Sequence, residues 1–235
     1  MYEQLRALID GAKRIAFFGG AGVSTESGIP DFRGVDGLYR QTYDYPPERY
    51  LSHEFFFSHT AEFYRFYRDK MLPLDAQPSG AHRFLAYLEQ SGRDIAVITQ
   101  NIDGLHQKAG SRKVLELHGS VLRNHCTRCG QFYGVERIVN SRGVPRCSCG
   151  GIIKPDVVLY EESLDEDVMA EAIHYIRQAD MLIIGGTSLV VYPAAGLVQY
   201  YRGHKLAVIN KGGAGSGLGA AVTVDAPIGQ VMAQL

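Results

Sequence analysis

An α/β fold, with a doubly wound parallel sheet and a small domain inserted into it, is what this 235-residue sequence predicts. Short apolar runs alternate with helix-like segments along most of the chain, which is typical of successive βα units. A glycine-rich turn directly follows the first of these runs, and open α/β sheets bind their ligands at the carboxyl ends of strands. All four cysteines fall between positions 126 and 149, outside the alternation, so we expect a separate module there.

The alternation begins with a helix over residues 3–12, whose Leu5, Leu8 and Ile9 share one face, and a buried strand over 15–18. Glycine, proline and hydroxyl residues bound the later segments, as expected at the ends of helices and strands. In order, these segments are a helix between Pro78-Ser79 and Ser91-Gly92, a strand at 95–98, an apolar stretch at 114–117, a stretch at 152–160 that returns to the sheet, a helix with a capping box at 163–166, a strand at 181–184, a helix between Pro193 and Gly203, strands at 206–209 and 222–224, and a terminal helix at 228–235.

Residues 34–71 are rich in aromatic side chains and are interrupted by Pro46-Pro47. This composition allows two interpretations, a mobile lid that closes over a ligand or plain core. Aromatic residues at helical spacing are more often core, so we favour a helical unit of the small domain. The glycine-rich segment 211–220 is expected to be a flexible loop.

The charge of the chain limits its partners. The formal net charge is −1, so no global field would recruit nucleic acid or an acidic membrane. The first residues lack the basic head, apolar run and cleavage site of a signal peptide, and no apolar run approaches a membrane-spanning length. We therefore expect a cytoplasmic protein with no membrane partner.

The cysteines form two close pairs, Cys126-x-x-Cys129 and Cys147-x-Cys149, separated by 17 residues. Without an export signal, such pairs favour metal over disulfides, and the spacing is close to that of a zinc ribbon. Four thiolates with no histidine at ligand spacing imply a closed tetrahedral site, so the expected single zinc ion is structural. A free-standing ribbon can bind nucleic acid, but the arginines here are no denser than a solvated surface requires, and we predict no specific nucleic-acid partner.

These features divide the chain into two domains. We assign residues 1–33, 72–118 and 156–235 to the nucleotide-binding sheet domain. The small domain would combine a helical part at 34–71 with a zinc-binding module at 119–155. Both parts of the small domain are therefore excursions from the sheet.

The first glycine-rich turn carries the clearest indication of a ligand. Gly20-Ala-Gly22 is followed by hydroxyls at Ser24 and Thr25, and the free N–H groups of such a turn suit an anionic phosphate. The glycines alone could be only a tight turn. The continuation Gly28-Ile-Pro-Asp-Phe-Arg33 adds a rigid turn, an aromatic ring and a guanidinium, and a second polar cluster, Thr99 to His106, follows the strand at 95–98.

Four residues in or near these clusters also have a purely structural interpretation. A histidine before glycine is usually a turn or core residue, but His118 follows a strand beside the nucleotide loop, which favours a functional role. His106 comes at helical spacing after the polar run, and we assign it to structure or support. Asp31 and Asp103 could be simple caps, and for Asp31 capping explains its position as well as ligand contact does.

Together these motifs resemble the sirtuins, the NAD-dependent protein deacylases. The resemblance extends from about residue 12 to 226 and implies an inverted Rossmann-type domain, with NAD lying between it and the zinc and helical modules. It rests on Gly20-Ala-Gly-Val-Ser, Gly28-Ile-Pro-Asp-Phe-Arg, Thr99-Gln-Asn-Ile-Asp, Leu117-His-Gly, the cysteine pairs, Gly186-Thr-Ser-Leu-Val-Val-Tyr-Pro-Ala and Ile209-Asn.

The resemblance also implies roles for individual residues. His118 matches the family's general base, and with Asn101 it forms the catalytic pair. Gln100 and Asn101 would face the nicotinamide ribose, whereas Ile102 and Asp103 would hold the carboxamide. The remaining NAD contacts would come from Gly20, Ala21, Gly22, Thr25, Phe32, Arg33, Gly186, Thr187, Ser188, Asn210, Lys211, Asp225 and Ala226.

The family's chemistry fits these residue types. Cleavage of the nicotinamide–ribose bond creates an oxocarbenium-like centre, which the acetyl oxygen of an acetyl-lysine captures, and a neutral imidazole can take a proton from a ribose hydroxyl near pH 7. The expected reaction converts acetyl-lysine and NAD to lysine, nicotinamide and O-acetyl-ADP-ribose, so NAD is a co-substrate. Mono-ADP-ribosyl transfer is the main alternative. A non-catalytic NAD sensor needs no base, and a dehydrogenase needs an acidic residue after the second strand that this chain lacks.

An acyl-lysine peptide is expected to bind as an added strand between residues 155–160 and a loop near 190–192. Val158, Tyr160 and Val191 would then flank the acyl chain.

The acyl group is expected to be neutral. Family members that remove acidic acyl groups carry a Tyr-x-x-Arg pair, whereas here Tyr64 is followed at that spacing by Tyr67, with the arginine displaced to Arg68. One residue turns a helical side chain by about 100°, so Arg68 should point elsewhere. We therefore predict removal of acetyl or longer neutral acyl groups.

Overall fold

The computed structural model describes residues 2–31, 44–213 and 215–235 of the chain. The strands are, in chain order, β1 (Arg14–Gly19), β2 (Asp94–Thr99), β3 (Val114–Glu116), β4 (Gly119–Cys126), β5 (Phe132–Gly134), β6 (Ile153–Val157), β7 (Met181–Gly185), β8 (Lys205–Ile209) and β9 (Val222–Val224). The α-helices are α1 (Tyr2–Asp10), α2 (Pro47–Tyr50), α3 (His53–Ser58), α4 (Thr60–Lys70), α5 (Gly80–Gln90), α6 (Leu105–Ala109), α7 (Val135–Val139), α8 (Glu166–Gln178) and α9 (Ile228–Met232). Short 3₁₀ helices lie at Ala21–Val23, Thr25–Ser27, Ala194–Tyr200 and Ser216–Leu218.

A six-stranded sheet with the order β3-β2-β1-β7-β8-β9 forms the centre of the larger domain. Each neighbouring pair of its strands is parallel. The chain moves outward from β1 to β3, returns to the other side of β1 and moves outward again, so the strand order reverses between β1 and β7. This is the Rossmann-like, doubly wound arrangement that the alternation predicts, and ligands of such sheets bind at the reversal.

Both faces of this sheet are covered, which explains why its strands are continuously apolar. Along β1, Ile15 and Phe17 belong to the core formed with α1, α5 and α9. Ala16 and Phe18 belong to the opposite core, which includes Ala172 of α8. Successive side chains of a strand point to opposite faces, so a strand that is buried on both sides needs an apolar residue at every position.

The aromatic helices and the cysteine module share a third core. Phe56, Phe63 and Tyr67 pack in it together with Val121 and Ile153 from a three-stranded antiparallel sheet of order β5-β4-β6. The core interpretation of the aromatic segment is therefore confirmed for its described part. The exception is Phe57, whose surface is 48% exposed.

Two expectations about single elements are wrong. The stretch at 152–160 does not return to the large sheet, because β6 pairs antiparallel with β4 in the small one. The helix that follows is capped by Asp165 and not by Ser163. The Asp165 carboxylate accepts from the N–H groups of Asp167 and Val168. In both cases local sequence allowed either answer; pairing with β4 decided the first, and the hydrogen bonds of Asp165 decided the second. Within the described ranges, none of the helices has the length and apolar character to cross a membrane.

Candidate functional site

Six polar loops meet at one edge of the large sheet. All strands of the sheet are parallel, so their carboxyl ends share an edge. The loop Gly20–Thr25 follows β1, Gln100–Asp103 follows β2 and His118 follows β3. On the other side of the reversal, Gly186–Ser188 follow β7. Asn210 with Lys211 follow β8, and Asp225 with Ala226 follow β9. The structure therefore brings these predicted site residues to one edge, while Phe32 and Arg33 lie outside the described residues.

The loops after β1 and β7 are in close contact at the reversal. The N–H of Gly22 donates to the Gly186 carbonyl oxygen at 2.8 Å. A Cβ on Gly22 would lie 2.8 Å from the Gly186 Cα, and one on Gly186 would collide with the Val23 amide. Gly186 also has φ of 60°, which favours glycine. These two glycines are thus required by the approach of one backbone to another.

A chain of hydrogen bonds joins the loops after β1 and β2. The Asn101 side-chain amide donates to the Ser24 hydroxyl at 3.0 Å, and that hydroxyl donates to the Asp103 carboxylate at 2.6 Å. The other Asp103 oxygen accepts from the Leu105 N–H. Burial raises the pKa of Asp103, and the bonds from Ser24 and Leu105 oppose the rise. Ser24 is therefore central to the site.

Sequence reasoning did not assign a site role to Ser24. Its side chain is buried, and its two partners, Asn101 and Asp103, lie 77 and 79 residues away in the chain. The only indication in the sequence was its position as a hydroxyl residue two places after Gly22. Such a residue can equally cap the following turn, so the fold was needed to identify its partners.

Gln100 and Asn210 connect the two halves of the site across the reversal. The Gln100 amide donates to the Thr187 hydroxyl at 2.9 Å. Asn210 and Thr187 exchange two bonds, since the Thr187 N–H donates to Asn210 Oδ1 and Asn210 Nδ2 donates to the Thr187 carbonyl, both at 3.0 Å. Farther out, Asp225 accepts from the Gly212 N–H at 2.8 Å. Residues that follow β2, β7 and β8 are therefore held in one network.

His118 has a defined tautomer. Its Nδ1 lies 2.9 Å from the backbone oxygen of Gln100. A carbonyl oxygen only accepts, so Nδ1 carries the proton and Nε2 keeps a free lone pair. Burial lowers the pKa of His118 below its usual value, and the bond to Gln100 partly offsets this. Near pH 7 the ring is neutral and can act as a base through Nε2.

The glycine loop is supported from behind by a buried histidine pair. The Ser79 hydroxyl donates to the Val23 carbonyl at 3.0 Å, and the Ser79 N–H donates to His82 Nδ1 at the start of α5. The ring of His82 lies 4.5 Å from that of His106, between centroids, and His106 also contacts Phe17. His106 is buried against these two rings.

The four cysteine sulfurs form a cluster suited to zinc. All lie within 4.8 Å of one another, with Cys126–Cys149, Cys129–Cys147 and Cys129–Cys149 at 3.5, 3.6 and 3.5 Å. A tetrahedral zinc site with Zn–S bonds of about 2.3 Å places its sulfurs about 3.8 Å apart. The separations and the soft, all-thiolate donor set therefore fit one structural zinc ion.

One of the predicted peptide segments lies beside His118. The Val158 N–H donates to the His118 carbonyl oxygen at 3.0 Å, so the two segments are joined directly. Tyr160 is 39% exposed, and Val190 and Tyr192, on either side of Val191, are 54% and 70% exposed. The segment that ends at Tyr160 and the loop at 190–192, which follows Gly186–Ser188, thus both present apolar surface to solvent.

Arg68 is engaged elsewhere, as predicted. Its guanidinium donates to the Ile138 carbonyl at 3.0 Å, the Ser141 hydroxyl at 2.8 Å and the Gly143 carbonyl at 2.7 Å, at the end of α7. Tyr64 is fully buried, and its hydroxyl donates to the Ile153 carbonyl. Both side chains therefore hold the aromatic helix against the cysteine module.

This chain is similar to known proteins in both sequence and structure. The Sir2 family model matches residues 20–193. An NAD-dependent protein deacetylase of Clostridium acetobutylicum is 51% identical over 98% of this chain and 96% of its own length. One from Clostridium perfringens is 52% identical over 99% and 97%. A solved Sir2 variant with a deacetylated p53 peptide and 3'-O-acetyl ADP ribose has a TM-score of 0.89 at 40% identity, covering 99% of this chain and 95% of that one.

Proposed function

This chain belongs to the Sir2 family, and we infer that it is an NAD-dependent protein lysine deacetylase. It converts acetyl-lysine, NAD and one water molecule to lysine, nicotinamide and O-acetyl-ADP-ribose. The observation that carries this function is the state of His118, which is neutral, has its Nδ1 bonded to Gln100 and has a free Nε2 at the edge where the loops converge. A protein that only bound NAD would not need such a base.

His118 would accept a proton at Nε2 from a ribose hydroxyl of the co-substrate. The Gln100 carbonyl keeps the proton of the neutral ring on Nδ1 and so points the basic nitrogen away from the backbone. Once Nε2 is protonated, the same carbonyl accepts a bond from an imidazolium and stabilises it. Base catalysis of this kind contributes about 10²- to 10⁴-fold in rate.

NAD supplies the cleavable bond between nicotinamide and ribose. We assign Ile102 and Asp103 to the nicotinamide carboxamide. Its N–H groups can donate hydrogen bonds to the Asp103 carboxylate. Gln100 and Asn101 would contact the adjoining ribose, with Asn101 as the second catalytic residue. The chain Asn101–Ser24–Asp103 supports this assignment because it fixes both side chains in advance.

The rest of NAD would extend along the other loops. We assign the phosphates to the turn Gly20, Ala21, Gly22 and Thr25 and to Gly186, Thr187 and Ser188, and the adenosine to Asn210, Lys211, Asp225 and Ala226. Phe32 and Arg33 complete this proposed set. The reversal of strand order at these loops supports it, since dinucleotides bind at that position in this class of sheet.

We propose that Cys126, Cys129, Cys147 and Cys149 hold one structural zinc ion. The cluster lies in the small domain, which we divide into the helical residues 34–71 and the predicted module 119–155, extended to Val157 because β6 belongs to the small sheet. Residues 1–33, 72–118 and the rest of 156–235 then form the nucleotide-binding domain. The shared core of the aromatic helices and the small sheet supports grouping the first two. Free, clustered cysteines are typical of a reducing compartment, so we place the protein in the cytoplasm.

We propose that the substrate peptide adds as a strand between residues 155–160 and the 190–192 loop, with Val158, Tyr160 and Val191 around the acyl chain. The exposed apolar surface of these loops beside His118 supports this placement.

The acyl group should be neutral. The Arg68 guanidinium makes four bonds within the small domain, and the Tyr64 hydroxyl is bonded to Ile153, so neither is available for an acyl carboxylate. Turnover of acetyl-lysine and succinyl-lysine should be measured on the same peptide. We expect the acetylated peptide to react faster, and faster removal of succinyl would contradict this assignment.

The function is tested by incubating the protein with an acetylated peptide, with and without NAD, and measuring nicotinamide release together with the peptide mass. We expect NAD-dependent loss of an acetyl group. His118→Ala should reduce the rate about 10²- to 10⁴-fold. The matched control is His174→Ala, which removes an exposed histidine of α8 and should leave the rate unchanged. A gain of ADP-ribose on protein without deacetylation would instead support mono-ADP-ribosyl transfer.

A further inference from the structure

Two residues other than glycine have a left-handed backbone in the described part of the chain. They are Glu161, with φ of 77°, and Leu189, with φ of 56°. Glu161 directly follows the proposed peptide segment 155–160, and Leu189 directly precedes the 190–192 loop. Such conformations are unfavourable for residues with a Cβ and concentrate at ligand-binding sites, where neighbouring contacts maintain them.

Glu161 occupies a turn position that normally takes glycine. The Glu162 N–H donates to the Leu159 carbonyl at 3.0 Å, so residues 159–162 form a four-residue turn with Glu161 third. A type II turn requires positive φ at that position, and glycine or asparagine is preferred there. A glutamate at this position is therefore expected to provide something that glycine cannot.

The Glu161 carboxylate provides a bond to the aromatic helices. Its Oε2 accepts from the Glu54 N–H at 3.0 Å, in the first turn of α3. The Ser52 hydroxyl accepts from the next N–H, that of Phe55. Free N–H groups at the start of a helix are favourable partners for a carboxylate. Glu161 thus joins the turn after the peptide segment to the helical part of the small domain.

This bond lies next to a short backbone pairing that involves a proposed substrate contact. The His53 N–H donates to the Tyr160 carbonyl at 3.0 Å, and the Tyr160 N–H donates to the Leu51 carbonyl at 2.9 Å. Both backbone groups of Tyr160 are therefore bonded, to Leu51 just before α3 and to His53, its first residue. The Glu161 carboxylate is bonded to Glu54 in the first turn of the same helix, so it keeps the 159–162 turn close to α3.

Glu162 keeps the turn folded independently of Glu161. Its carboxylate accepts from the Leu159 N–H and the Lys154 ammonium, both at 2.9 Å, and contacts His53 Nδ1 at 2.9 Å. A substitution at Glu161 should therefore change the position of the turn without unfolding the domain.

We propose that Glu161 is a positioning residue for the substrate peptide, which holds the 158–160 segment against α3 by means of its carboxylate and a strained backbone. This inference rests on the proposed function, since it concerns the same peptide site. Substitution should weaken binding of the acyl-lysine peptide and leave the NAD site and the chemical step unchanged.

Three substitutions separate the strain from the carboxylate bond. Glu161→Gln keeps both the strain and a side-chain acceptor, Glu161→Ala keeps the strain without the acceptor, and Glu161→Gly removes both. We expect the Ala and Gly variants to raise the KM and Kd of an acetylated peptide about tenfold, which corresponds to about 1.4 kcal/mol. The Gln variant should stay within about twofold of wild type, and the Gly variant should melt no lower than the Ala variant.

The measurements are KM and kcat for peptide and NAD, peptide Kd by calorimetry, and the melting temperature. Unchanged peptide affinity in the Ala variant would overturn the proposal. If the Gln variant lost as much peptide affinity as the Ala variant, the charge would act on the peptide directly and the proposal would fail. It would also fail if the KM of NAD rose as much as the KM of the peptide. If wild type binds peptide without turnover, the proposed function fails while peptide Kd still decides the role of Glu161. If wild type does not bind the peptide, both fail.

Discussion

Acid should destabilise this protein through His82, a buried residue outside the catalytic machinery. Its Nδ1 accepts the Ser79 N–H at 3.0 Å, which places the ring proton on Nε2. Burial, with a smaller effect from the nearby Arg83 charge, lowers the pKa of His82 from 6.5 to about 4. The unfolded chain therefore binds more protons than the folded one between these two values, and stability is lost as the pH falls through this window.

The size of the effect follows from the pKa shift. A shift from 6.5 to about 4 is about 2.5 units, and at about 1.36 kcal/mol per unit it corresponds to about 3 kcal/mol once the pH is below 4. At pH 5, where the folded-state ring is still largely neutral and the unfolded-state ring is protonated, the loss is about 2 kcal/mol. This is a large part of the stability of an average domain, about 5–15 kcal/mol.

The assay compares wild type with His82→Gln by urea unfolding at pH 7.5 and pH 5. Glutamine is a usual residue at this capping-box position, so it can accept the Ser79 N–H without titrating. Lost packing against His106 lowers stability equally at both pH values and cancels, as does any effect of pH on the cysteine site. Between pH 7.5 and pH 5, we expect the free energy of unfolding to fall by about 2 kcal/mol less in the variant than in wild type. Equal losses in the two proteins would refute the reasoning.

Four further predictions concern the site and the small domain. Since burial lowers the pKa of His118, the midpoint of the acid fall in kcat/KM should lie below pH 6.5, and a midpoint above pH 6.5 in a rate–pH profile would contradict this. Gly186→Ala should raise the KM of NAD and lower the free energy of unfolding, measured thermally, by about 2 kcal/mol, because the alanine Cβ would collide with Val23. An unchanged KM would argue against the close packing of the loops after β1 and β7. Arg123→Ala should lower the free energy of unfolding in urea by about 1–2 kcal/mol. Arg123 lies 2.6 Å from the carboxylate of Glu116, whose side chain is only 7% exposed. A loss no larger than that of an exposed ion pair would contradict this prediction. Chelation of zinc should abolish activity and lower the melting temperature, and full activity in metal-free protein, verified by metal analysis, would show that the cysteine site is dispensable.

Much of the architecture was determined by local sequence. The apolar runs of β1, β2 and β7 are buried on both faces, and this alone distinguishes strands of a parallel sheet from the half-polar strands of an open antiparallel one. Because parallel strands end at one edge, the polar residues after each run could be grouped into one site from sequence order. The spacing of the cysteines likewise indicated their clustering, since close pairs can converge on one ion.

Other features depended on the tertiary structure. The partners of Ser24 lie 77 and 79 residues away, so no local pattern could identify it as the link between Asn101 and Asp103. The tautomer of His118 depends on the Gln100 carbonyl, 18 residues earlier, and the membership of β6 in the small sheet depends on pairing with β4. The left-handed backbone of Glu161 is a further case, because a sequence pattern favours glycine there and only the bond to Glu54 accounts for a glutamate. The spacing of apolar residues indicates which side of a helix or strand is buried. Hydrogen-bond partners and strained turns depend instead on residues that are distant in the sequence and become neighbours only in the folded chain.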